Sequence, residues 1–156
     1  MRTMFLPLAL LGVAGPALAC VCMEPTTAEE KREIAARIAA EAVAVVDVEQ
    51  VAAMDQRAMR GETYRVLAVH VGKAPAQFEM ARGFERASDG QTVMVMTSCD
   101  TIPPPGTRTT AVLYAGDRPG RFRFGGTCEH LFVNLPGGID LIRAELARRG
   151  GKAERG

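Results

Sequence analysis

Four cysteines, Cys20, Cys22, Cys99 and Cys128, constrain this chain more than any other feature. Two of them flank one valine in "ALACVCMEP", directly behind an Ala-x-Ala sequence. An even number of cysteines in an exported chain predicts two disulfides, and four cysteines allow three connectivities. A Cys20 to Cys22 bond would close a very tight ring, so the two long-range pairings are preferred. Each bridge would then close a loop of about 80 to 110 residues, worth roughly 4 to 5 kcal/mol on the chain-entropy model. The rival chemistry is a Cys-x-Cys metal site holding copper with help from Met23.

Export is read from the first nineteen residues. Arg2 supplies a basic start, Met4 to Ala14 an apolar run, and Gly15-Pro16 a break before Ala17-Leu18-Ala19. This pattern predicts a secretory signal, residues 1–19, cleaved before Cys20. The expected location is secreted or periplasmic. The alternative is an outer-membrane or surface lipoprotein anchored at Cys20, although leucine stands at 18 and alanine at 17, where a lipobox carries its leucine. No later segment approaches the roughly 20 apolar residues of a transmembrane helix.

Removing nineteen residues from 156 leaves 137, the size of one domain. Arg2 is the only charge removed, so 18 basic residues balance 18 acidic ones. A neutral chain gives no electrostatic basis for binding nucleic acid or an anionic membrane. The domain is expected over residues 20–150, with a disordered tail at 151–156.

Thr27-Ala28-Glu29-Glu30 is a capping box, and Ile34, Ala35 and Ile38 continue at helical spacing. Glu33 and Arg37 stand at i,i+4 on the charged face and are expected to pair. Composition then shifts to β-branched residues, with strands predicted from Val43 to Val51 and from Thr63 to Val71. The polar stretch from Met54 to Gly61 joins them. In "QTVMVMTS", residues 91–98, the alternation predicts a strand ending at Cys99, and the prolines of "CDTIPPPG" demand a non-helical loop after it. Two more strands are predicted at Thr109 to Tyr114 and Arg121 to Phe124, the last running on to Cys128. Ile139, Ile142 and Leu146 mark a terminal helix, with Asp140 near its start and Arg148-Arg149 near its end, as the helix dipole favours. The fold class is mainly β: a five-stranded OB-fold-like barrel with a short N-terminal helix, a C-terminal helix and two disulfides.

Cys-x-Cys behind a cleavable signal, then a helix, a valine-rich strand, "SCD" after the third strand and "GGTCEHLF" after the fifth resembles the netrin-like module. It most closely resembles the N-terminal domain of the tissue inhibitors of metalloproteinases and their short bacterial secreted relatives. The resemblance spans nearly the whole mature chain and is carried chiefly by the order of its cysteines. It implies disulfides from Cys20 to Cys99 and from Cys22 to Cys128. It also implies a protease-binding ridge made of Cys20, Val21, Cys22 and Met23 with Thr97 and Ser98. In such a ridge the Cys20 amine and carbonyl chelate the zinc of a partner metalloprotease, while Val21 enters its specificity pocket. The implied function is thus a TIMP-like binding module and metalloproteinase inhibitor, not an enzyme, with no cofactor of its own. The alternative is a structural or metal-handling envelope protein with an unknown partner and no inhibitory activity.

The remaining candidates carry less chemistry. His70 and His130 lie far apart in sequence, with no third ligand at suitable spacing. Met94 and Met96 could face copper, but strand methionines are more often core filler. Ser98 and Asp100 lack a placed base, so hydrolysis is the least favoured class. "GDRPG" and "FGGT" are turn sequences, since no strand-to-helix glycine fingerprint follows either.

Overall fold

The computed structural model describes residues 21–95, 99–100, 103 and 105–153. Its elements are α1 (Ala28–Glu41), β1 (Ala44–Ala52), β2 (Thr63–Gly72), β3 (Gln77–Met80), β4 (Gly83–Arg86), β5 (Thr92–Val95), β6 (Arg108–Ala115), β7 (Arg121–Phe124), α2 (Thr127–Asn134) and α3 (Gly138–Ala153). Five strands close a barrel in the order β1-β2-β3-β7-β6, and β6 returns to pair with β1. All barrel pairs are antiparallel except β3 with β7. The expected OB-fold-like, mainly β architecture is present, with α1 before the barrel and α3 after it.

The valine-rich β1 has to serve two cores. Its neighbours Val45 and Val46 are both fully buried, which a regular strand with one wet face would not allow. Val46 and Val48 enter the barrel interior beside Tyr64, Phe78, Met80 and Leu113, whereas Val45 faces outward onto Ile38, Phe132 and Ile142 of the three helices. The facing alternates regularly along β1, and the register against β2 shifts at Val45/Val46 and Asp47/Val48, irregularities that bend a strand and increase its twist. The helices therefore cover the outside of the β1-β2-β6 wall, and aromatic side chains fill the inside. There, Tyr64 packs edge-on to Phe124 and stacked on Phe78, with centroids 4.8 and 5.8 Å apart.

The barrel's third strand corrects the reading of the sequence. It is Gln77–Met80, with Phe78 and Met80 inward and Gln77 and Glu79 turned away. The segment expected in that role, 91–98, contributes β5, which pairs only with β4 in a separate two-stranded ribbon. The alternation in "QTVMVMTS" was a valid strand signal, but alternation says nothing about which neighbour a strand finds. At four residues, β3 was too short for its own pattern to stand out.

Close approach fixes one glycine. A Cβ on Gly61 would lie 1.9 Å from the Met80 carbonyl oxygen, so only glycine lets the chain enter β2 so near β3. Charges close the same end of the barrel. Arg82 grips Glu62 with two bonds of 3.0 and 3.2 Å, and both side chains are less than a tenth exposed. Arg121 joins Glu79 at 3.2 Å and Asp117 at 2.8 Å. The Tyr64 hydroxyl is buried nearby without a hydrogen-bond partner, and burial together with the Glu62 charge pushes its pKa up to about 12.

Two further details depart from expectation. Cys128 lies in the first turn of a helix, α2, instead of at the end of the last strand. Gly125-Gly126 ends β7, and Phe132 and Val133 of α2 are then buried against the other helices, with Leu135 at its C-cap packed beside them. At the C-terminus, α3 reaches Ala153, three residues into the segment expected as a tail, and residues 154–156 lie outside the described ones.

Candidate functional site

The candidate site is the segment from Val21 to α1, together with the face of α2 to which it is bonded. Cys22 is joined to Cys128 across 106 residues, with Cα atoms 5.2 Å apart, as the resemblance implied. Cys99 is also in a disulfide. Its expected partner, Cys20, lies outside the described residues, as do Thr97 and Ser98 of the expected ridge. The Cys99 carbonyl accepts hydrogen bonds from the Thr127 N–H at 3.0 Å and the Thr127 hydroxyl at 3.2 Å. Two segments remote in sequence, one at Cys22 and one at Cys99, are thus fixed to neighbouring residues of the first turn of α2.

Capping fixes the other end of the segment. The Glu30 carboxylate accepts from the backbone N–H groups of Thr27 and Thr26 at 3.0 and 2.7 Å, while the Thr27 hydroxyl accepts from the Glu30 N–H at 3.1 Å. These bonds hold the Glu30 carboxyl below its ordinary pKa. Between the disulfide and the cap, Val21 is 84% exposed and Met23 88% exposed. Both flank the cross-linked Cys22, so two large apolar side chains stand in water on either side of a fixed point.

A groove of about 520 Å³ opens beside this segment, between α1 and α2. Phe132, Ile34 and Leu135 form its floor, the Cys22–Cys128 bond one wall, and Met23 and Pro25 its lip. Leu131, 51% exposed, continues the apolar surface outward. Glu24 and Arg37 stand at the mouth. The Glu33–Arg37 pair expected from their spacing is not formed, and Arg37 makes no ion pair among the described residues. Sequence reasoning missed the groove because α2 was not recognised as a helix. Leu131, Phe132 and Leu135 at i, i+1 and i+4 were the available signal.

The two histidines have different partners, which a third hydrogen bond links. His70 Nε2 lies 2.9 Å from Asp47 Oδ1, which also accepts the Thr110 hydroxyl at 2.7 Å, and His130 Nδ1 lies 3.1 Å from the Thr110 carbonyl. A carbonyl only accepts, so the His130 Nδ1 carries the proton. Partial burial pushes the Asp47 carboxyl up, but the Thr110 and His70 hydrogen bonds and the His70 charge outweigh it and hold its pKa below the ordinary value. A depressed carboxylate contributes stability above its unfolded pKa and loses it as pH falls through the folded one. In Thr110→Val the Asp47 pKa is expected to rise, because burial is left less opposed. Carbon-detected NMR titration of the carboxyl measures it, and an unmoved titration would refute this account.

Other candidates fall outside a common centre. Met94 is half-buried in β5, Met96 lies outside the described residues, and Asp100 lines a separate hollow of about 220 Å³ with Arg82 and Arg123. Among the described residues, no group of three or more His, Cys, Asp and Glu side chains is placed to hold a metal, and no helix is long and apolar enough to cross a membrane. In comparisons with known proteins, no family, no characterised protein and no solved structure matches this chain.

Proposed function

We propose that the protein is an exported binding module that acts through its disulfide-anchored amino-terminal segment, and that the partner is a zinc metalloprotease. The observation that carries this reading is the presentation of Val21 and Met23. Both are almost fully exposed, yet they flank a cysteine bonded to α2. Pre-organisation of this kind lowers the ordering cost of docking a short apolar ridge into a cleft. The proposed metal contact comes from the backbone of Cys20, freed by cleavage after Ala19. An α-amine with a pKa near 8 is readily deprotonated by a bound metal and can then donate its lone pair. In this reading Val21 sets selectivity, since a side chain in a specificity pocket discriminates by size and polarity.

The test compares the correctly processed, oxidised protein with a form carrying one added alanine before Cys20, against a panel of secreted zinc endopeptidases. Inhibition by the processed form alone is the expected result, with substitutions of Val21 changing which proteases respond. Equal inhibition by both forms would refute amine chelation. No inhibition of any panel member would refute the protease reading and favour a structural envelope role.

A further inference from the structure

The groove beside the ridge has a chemistry of its own, independent of any protease. Its volume, about 520 Å³, falls in the range of small-molecule sites, which are apolar with a few placed polar groups. Its floor is Phe132, Ile34 and Leu135, its wall a disulfide, and its only cation Arg37. Arg37 has carboxylates one turn away on either side, Glu33 and Glu41, and it pairs with neither. Arg37 also lines a neighbouring hollow with Glu41, Tyr114 and Glu129. A guanidinium without an ion pair among the residues that line an apolar hollow complements a ligand with a hydrocarbon body and an anionic head.

We propose that this groove is a binding site for a medium-chain amphiphilic carboxylate, its chain lying against Phe132 and Leu131 and its head group on the Arg37 guanidinium. Glu24 faces the same mouth and opposes the head group, so it limits affinity.

Octanoate, decanoate and decanol are the probes, titrated into the oxidised protein and followed by NMR. The expected result is saturable shifts confined to Ile34, Leu131, Phe132 and Leu135, with decanoate binding about fourfold more tightly per added methylene than octanoate. Arg37→Gln should weaken decanoate about tenfold and leave decanol unchanged, because only the carboxylate forms the charge-assisted bond. Glu24→Gln should tighten decanoate. Both residues are exposed, so neither variant threatens the fold. No saturable binding below the concentration at which decanoate self-associates would overturn the proposal. So would equal effects of Arg37→Gln on decanoate and decanol, or shifts centred elsewhere. Protease inhibition does not enter this measurement, so the site can fail while the ridge reading stands, and the reverse.

Discussion

Replacing Arg82 by alanine is expected to destabilise the protein by about 3 to 5 kcal/mol, the usual result of leaving one member of a buried ion pair behind. Glu62 is 5% exposed, and the Arg82 guanidinium meets both of its carboxylate oxygens, at 3.0 and 3.2 Å. Without Arg82 that carboxylate must stay charged in a poorly solvated site, take up a proton, or open the barrel end to water. The pair bridges the residue before β2 and the residue two after β3, and the Met80 N–H donates to the Glu62 carbonyl at 2.8 Å beside it. Any opening therefore disturbs the pairing of β2 with β3. Urea unfolding measures the loss, and the double variant Glu62→Leu, Arg82→Met separates its causes. If the damage comes from the stranded charge, the double variant recovers most of the stability, since an apolar pair of similar volume is often neutral or better. A single variant with an unchanged midpoint would show that Glu62 is not held by Arg82.

Breaking the Cys22–Cys128 bond is expected to have an effect of the same size. Its 106-residue span corresponds to about 4 to 5 kcal/mol on the chain-entropy model, because the unfolded chain regains the freedom the cross-link removed. The variant to make is the double serine, which leaves no stray thiol to form new bridges. For a domain of this size the midpoint of thermal unfolding should fall by roughly 15 °C. A second readout localises the change. The Thr127 and His130 amides, which donate to the Cys99 and Gly126 carbonyls on either side of Cys128, should lose protection from hydrogen exchange, while α1, with its own capping box, should keep most of its protection. The groove should also open, because the bond is one of its walls. Unchanged thermal unfolding in the double serine variant would contradict the account.

Much of this architecture was legible before any coordinates. The capping box at Thr27 and Glu30 announced α1, because both partners of that motif lie within one turn. The valines from Val43 to Val51 announced β1 as a strand, because β-branched side chains favour extended backbone. The even cysteine count, and the expectation of export built on it and on residues 1–19, came from residue types alone. What was not legible shares one physical origin. Strand pairing, the closing of β3 against β7 and the assignment of β5 to a side ribbon depend on contacts between residues far apart in sequence. Their energy is invisible in any local window.

The candidate site divides the same way. Cys20, Val21, Cys22 and Met23 were singled out by the resemblance that the order of the cysteines carries, and Cys-x-Cys behind Ala-x-Ala is a signal local enough to be read without a fold. It could not show that Arg37 would line a groove without pairing with Glu33, nor that His70 would meet Asp47 and His130 the Thr110 carbonyl. Local spacing determined which residues could form helices, caps and strands, for these depend on neighbours within about one turn. Only the tertiary structure decided which of them share a surface. That choice was made by the closing of the barrel and the docking of α2, where burial of Phe132 outside the barrel and Phe78 inside it outweighed every local preference.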